Sequence, residues 1–169
     1  MLDWFSSKIA MTIAISILTI AVVGFFNNET SNLSTQELKN IADKISGAIN
    51  NMANIKAETQ LKITFNESAN GVYINPRVQG EAYVVNLTQN LVILKYRGVI
   101  ITSKISSQIH LWDPSILNSS KNFSSSAVQE YDLVYSSRQL MSGTDFTILN
   151  KLVNIDGKEV YFTFVSPSG

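Results

Sequence analysis

The chain has 169 residues, and its 13 Lys and Arg balance 13 Asp and Glu, so the formal net charge at pH 7 is zero. The basic residues are scattered among the acids, which argues against a nucleic-acid-binding face. No Cys is present, which excludes disulfides and thiolate metal sites. About 110–120 residues follow the apolar and polar N-terminal stretches, enough for one globular domain.

The first element is an apolar segment, Ile9–Phe26, whose 18 residues include no charge and no Pro. A helix of this length extends about 27 Å, close to the hydrocarbon thickness of a bilayer. We predict a membrane-spanning or filament-core helix over residues 1–26. A cleaved signal peptide and a buried helix of a soluble protein are the alternatives. The first normally has a shorter apolar core that ends in small residues, and the second a polar stripe.

Small residues recur in this segment at helical spacing, which lets neighbouring helices approach closely in lipid or in a filament core. The competing interpretation is that Ala and Gly are simply common in apolar helices. The residues predicted to contribute to helix–helix assembly are Ile9, Ala10, Ala14, Ile17, Ala21 and Gly24.

A polar stretch, Asn27–Leu33, follows and is interpreted as a break. Ser34–Glu37 has the pattern of a capping box, so a second helix is predicted to run to about Ile55. Residues 27–56 thus form an amphipathic continuation, which either covers the chain's own sheet or extends one long helix. Its apolar positions are spaced three and four apart: Leu38, Ile41, Ile45, Ala48, Met52 and Ile55.

Residues 57–169 alternate between apolar and polar side chains and predict a β domain. Arg97-Gly98 and Asp156-Gly157 separate pairs of alternating runs and predict hairpins. Ser115–Ser126 is predicted to be a loop, and Tyr131–Tyr135 a strand. The predicted fold is therefore α+β: a long N-terminal helix followed by an antiparallel sheet or small sandwich of about seven to nine strands.

Asn-x-Ser/Thr sequons mark surface positions of exported chains, and their number here modestly exceeds chance. They favour placing the β domain outside the membrane. The candidate N-glycosylation sites are Asn28, Asn32, Asn66, Asn86, Asn118 and Asn122.

Residues with an evident chemical function are scarce. The single His, His110, is interpreted as a packed or surface residue, because a lone His cannot build a multi-His metal site. No Gly-rich phosphate loop, nucleophile elbow or carboxylate pair at helical spacing occurs. We therefore expect no catalytic residue, no cofactor and no metal.

The order of elements and the stretch Gly80–Leu87, with its Gly-x-x-Tyr-x-Val pattern, resemble archaeal type IV pilin-like proteins. In that family the apolar helices pack in a filament core, the β domains form the outer surface, and a peptidase removes a short basic leader. The chain departs from the family pattern before Ile9, where only Ser6-Ser7-Lys8 stands, and it lacks a Glu five residues into the apolar run.

The resemblance implies a structural cell-surface protein, a major or minor subunit of a pilus-like filament whose partners are the membrane and other copies of itself or related subunits. The alternative is a membrane-anchored extracytoplasmic β domain that binds the envelope, an S-layer or another surface protein without polymerising. Both interpretations place the C-terminal domain outside the cell.

Overall fold

The computed structural model describes residues 2–119 and 123–168 and begins with one long helix, α1 (Leu2–Ala53). The chain divides into two compact units between Gln36 and Glu37, within this helix. A β domain follows, so the α+β fold predicted from the sequence is confirmed.

The predicted break before a second helix is wrong, because α1 is continuous through the polar stretch. Ser34 is not an N-cap. Its hydroxyl donates to the Thr30 carbonyl oxygen at 2.9 Å, and the Thr35 hydroxyl donates to the Ser31 carbonyl oxygen at 2.9 Å. These side chains bond to the preceding turn of the helix. Extending an existing helix also avoids the cost of a new nucleus.

The amphipathic part of α1 supplies one wall of the main hydrophobic core. Its buried side chains cluster with apolar residues of the strands, as the three-and-four spacing predicts. Ile55, the last position of the predicted stripe, lies beyond the helix and is 40% exposed. The buried helical residues are Leu38, Ile41, Ala42, Ile45, Ala48, Ile49 and Met52.

In the described part of the chain ten strands form two four-stranded sheets and one two-stranded ribbon. The sheet orders are β10-β9-β1-β2 and β7-β6-β5-β8, and β3 pairs with β4. The strands are β1 (Thr59–Thr64), β2 (Val72–Tyr73), β3 (Arg77–Val78), β4 (Glu81–Ala82), β5 (Val84–Thr88), β6 (Leu91–Tyr96), β7 (Val99–Lys104), β8 (Ser137–Met141), β9 (Phe146–Ile155) and β10 (Lys158–Pro167).

Both predicted hairpins are present, β6–β7 and β9–β10. At each turn two consecutive residues have positive φ, Arg97 and Gly98 in the first and Asp156 and Gly157 in the second. This conformation suits two-residue turns between twisted strands. Most pairings are antiparallel, but β1 and β2 pair in parallel, with Ile63 opposite Val72.

The strand predicted at Tyr131–Tyr135 is wrong, because most of this stretch belongs to helix α2 (Ser125–Val134). The Ser124 hydroxyl accepts from the Ala127 backbone N–H at 3.2 Å and caps the helix. Val128 and Asp132, four residues apart, are buried on one face. The predicted Ser115–Ser126 loop contains all but the first residue of a 3₁₀ helix, Pro114–Ser119, and the first residues of α2.

The helical stripe is predicted to matter for the stability of the β domain. Ile45 is fully buried, so Ile45→Ala should lower the free energy of unfolding by about 2–4 kcal/mol through lost burial and a residual cavity. Ile100→Ala on β7, where the side chain is 60% exposed, is the control and should cost under about 0.5 kcal/mol. Denaturant titration of the full chain in detergent measures both, and equal effects would contradict this packing.

Candidate functional site

The most extensive candidate surface is the apolar first half of α1. Every described side chain between residues 11 and 25 is exposed. Its large aliphatic and aromatic members are 45% to 72% exposed. A soluble monomer rarely exposes such a continuous apolar surface, which makes this region the first candidate for contact with a membrane or another chain.

The helix is long and apolar enough to cross a membrane. The stretch that meets both conditions is Ile13–Ala53. It contains an 18-residue window with a mean hydropathy of 1.5, and none of that window is buried. Polar side chains within the apolar part are compatible with a spanning helix. The Thr19 hydroxyl, for instance, donates to the Ile15 carbonyl oxygen at 2.8 Å.

Four of the six residues predicted to contribute to helix–helix assembly can be placed in full. Ala14, Ile17, Ala21 and Gly24 have exposed positions on α1. A Cβ atom added at Gly24 would meet nothing within 4 Å, so this glycine leaves open room for a neighbouring helix. The backbone of residues 9 and 10 belongs to α1, but the side chains of Ile9 and Ala10 lie outside the described set.

The candidate glycosylation sites differ in accessibility. Asn32 and Asn66 are exposed, and the Asn66 side-chain oxygen accepts from the Ser68 backbone N–H at 3.0 Å in a turn. Asn86 is half-buried on the central strand β5, opposite Ile93 and Gln139. The side chains of Asn28, Asn118 and Asn122 lie outside the described residues.

The residues of the Gly-x-x-Tyr-x-Val pattern lie in a turn and in the main hydrophobic core of the β domain. Gly80 has a φ of +83° in the turn between β3 and β4. Tyr83 is buried and its hydroxyl donates to the Asn75 carbonyl oxygen at 2.7 Å. Burial, with a smaller contribution from the nearby Glu37 carboxylate, raises the pKa of Tyr83 well above its usual range. Val85 lies in the core.

A buried polar cluster joins α2 to the segment between β7 and the 3₁₀ helix. Its centre is the carboxylate of Asp132 on α2. Oδ1 is 2.7 Å from His110 Nδ1 and accepts from Trp112 Nε1 at 2.9 Å, while Oδ2 accepts from Gln108 Nε2 at 2.9 Å. Gln89 Nε2 donates to the Asp132 backbone oxygen at 2.7 Å. A buried carboxylate thus gains several hydrogen bonds, as it must to be stable.

Aromatic rings surround this cluster and form a second, smaller core. The His110 ring stacks on Phe162 with centroids 4.2 Å apart, and Trp112 meets Phe164 edge-on at 4.8 Å. His110 is only 5% exposed. His110 is therefore a packed residue. This is one of the two interpretations, packed or surface, that the sequence analysis gave.

Sequence analysis missed the role of Asp132, although a signal for it was present. Gln108, His110 and Trp112 are donors spaced two apart, so on an extended segment they share one face. Such a row of donors requires an acceptor, but the sequence does not show which acidic residue supplies it.

A second polar site involves Asp145, before β9. Its carboxylate is 2.8 Å from Lys62 Nζ and accepts from the Phe65 backbone N–H at 3.0 Å. The hydrogen bond from Lys62, followed by that from Phe65, holds the pKa of Asp145 below its usual value. Within the described ranges, no group of three or more His, Cys, Asp or Glu side chains is placed to hold a metal ion.

Comparison with protein-family models, with curated proteins and with solved structures finds no match to this chain. Its function must therefore be argued from its own residues.

The Asp132 cluster is predicted to be essential for the packing of α2. Asp132→Asn replaces one acceptor oxygen with an amide donor, which then meets either Gln108 Nε2 or the His110 and Trp112 nitrogens, so the free energy of unfolding should fall by about 2–4 kcal/mol. Glu130→Gln changes an exposed carboxylate of the same helix and should be nearly neutral. Thermal and denaturant unfolding of the full chain in detergent compare the two, and a neutral Asp132→Asn would contradict the role of the cluster.

The lowered pKa of Asp145 predicts a pH-dependent contribution to stability. Since the folded-state pKa lies below the unfolded value of about 3.9, the contribution is complete above that value and disappears as the pH falls through the folded pKa. Asp145→Asn should therefore cost about 1 kcal/mol at pH 7 and progressively less below about pH 4. Glu159→Gln, an exposed change on β10, is the control. Denaturant unfolding at several pH values measures the free energy of unfolding. A difference between Asp145→Asn and the unsubstituted chain that does not narrow in acid would refute the prediction.

Proposed function

We propose that this chain is a structural cell-surface protein, a pilin-like subunit of a type IV pilus-like filament. The observation that carries this proposal is the division of α1 into two environments. Its residues from Leu38 to Met52 supply a buried stripe to the β domain, whereas its described side chains between residues 11 and 25 are exposed and mostly apolar. The apolar surface must be shielded from water. Lipid shields it before assembly, and other copies of the helix shield it afterwards.

The hydrophobic effect supplies the driving force for leaving water, at about 25 cal/mol per Å² of apolar surface covered. Between helices already in lipid, close packing must supply the preference instead, and small residues permit it. Ala14, Ala21 and Gly24 are exposed on α1 and could form such contacts. Their exposure supports the choice of other copies as partners.

The orientation with the β domain outside the cell rests on the sequons. Asn32 and Asn66 have exposed positions that a glycosylating enzyme could reach. Glycans at these positions would lie on the outer surface of a filament or of a membrane-anchored domain.

The second candidate function is a fixed, membrane-anchored binding domain. The departures before Ile9 favour it, because Ser6-Ser7-Lys8 does not have the pattern of basic residues followed by Gly or Ala that marks a leader-peptidase site. Such a protein would keep its α1 in lipid and use the β domain to contact the envelope or another surface protein.

One pair of variants separates the two functions. Ala21→Leu adds bulk at a predicted helix contact but favours lipid insertion, since Leu is among the most favourable residues in the bilayer. If α1 packs in a filament core, this variant should stay in membranes while sheared filaments fall at least about tenfold. Val23→Leu, outside the predicted contact set, is the control and should leave filaments unchanged.

Intact mass and N-terminal sequencing of sheared and membrane fractions complete the test. A shortened chain that begins near Ile9 in the sheared fraction would support the filament subunit. An intact Met1 found only in membranes, with no effect of Ala21→Leu, would overturn the subunit and favour the fixed domain. A start near Phe25 would show that the apolar segment is a removed signal peptide and would overturn both.

A further inference from the structure

A cavity of about 370 Å³ lies beside the Asp132 cluster, bordered by α2, the segment that carries Gln108 and His110, and strand β10. This volume is within the range of small-molecule sites, at its lower end. The proposed structural function makes no use of the cavity. Its polar lining residues are Gln108, His110, Ser125, Gln129, Asp132 and Tyr161.

His110 lines this cavity, and the Asp132 cluster uses only one of its two ring nitrogens. Its Nδ1 is bonded to Asp132 Oδ1, and because a carboxylate only accepts, Nδ1 carries a proton. In the neutral imidazole, Nε2 then presents a lone pair. The structure gives Nε2 no hydrogen-bond partner among the described residues.

The rigidity of His110 makes this atom a defined acceptor. Phe162 stacks against the ring at 4.2 Å, and the side chain is 5% exposed. The carboxylate that holds Nδ1 is itself fixed by Trp112 and Gln108. A ligand group that donates to Nε2 would therefore meet a preorganised partner, which lowers the entropic cost of binding.

The other polar groups indicate the chemistry of the ligand. Ser125, Gln129 and Tyr161 are neutral and can both donate and accept. The Ser125 hydroxyl donates to Asp156 Oδ2, which leaves its oxygen able to accept. Among the described residues, no Lys or Arg lines the cavity, and Asp132, which does line it, is acidic, so the described lining does not favour a phosphate or carboxylate ligand.

Apolar side chains complete the lining: Val128, Ile155 and Phe162. A ligand with hydroxyls along its edge and C–H groups on its face satisfies both kinds of surface. We propose that the His110 cavity binds a neutral, hydroxyl-rich ligand, a single sugar ring, with one hydroxyl donating to His110 Nε2 and others bonded to Ser125 and Gln129. This inference does not depend on filament formation.

The single His of the chain gives a direct test. The full chain is labelled with ¹³C-histidine and placed in a detergent without a sugar headgroup. The imidazole Hε1–Cε1 signal is followed by NMR during titration with glucose, galactose, mannose and N-acetylglucosamine, each up to about 50 mM. At least one sugar should shift this signal saturably, with a dissociation constant in the millimolar range or below.

Gln129→Ala, at an exposed residue of α2, should weaken the binding about fivefold, the effect of one lost hydrogen bond. Gln139→Ala, at an exposed residue of β8, is the matched control and should leave binding unchanged. The absence of a saturable shift with all four sugars would overturn the proposal. So would equal effects of the two variants, or saturable binding of phosphate or sulfate with no binding of sugars.

Discussion

The structure depends on one constraint, the excess of apolar surface on α1. A single helix carries a stripe for the core of the β domain and, further toward its N-terminus, apolar side chains that are exposed on every described position from 13 to 25. Hydrophobic burial acts on both parts with the same strength per unit area. The protein can satisfy the first part by its own folding, but it needs another surface to satisfy the second.

The continuity of α1 also has an energetic reason. The polar residues between the two parts include hydroxyl side chains, and Ser34 and Thr35 bond to carbonyls of the preceding turn. No separate helix start is then required, and the cost of nucleation is met once.

The β domain has a second, independent centre at Asp132. Its carboxylate gathers donors from Gln108, His110 and Trp112 and so fixes α2 over a small aromatic core. These hydrogen bonds offset the free-energy cost of removing the carboxylate and its three donors from water. His110 of this cluster also lines a cavity, which is why a cluster that stabilises the fold is also the place where we expect a ligand.

The sequence by itself determined the features that depend on local spacing. The period of three and four residues gave the buried stripe of α1, and Arg97-Gly98 and Asp156-Gly157 predicted the hairpins, since these signals act within a few residues. Tertiary structure decided what depends on distant partners. Tyr131–Tyr135 has the residue types of a strand, yet most of it is helical because Asp132 finds its donors on another segment and Ser124 caps the turn. The cavity beside His110 likewise exists only because three separate parts of the chain meet there.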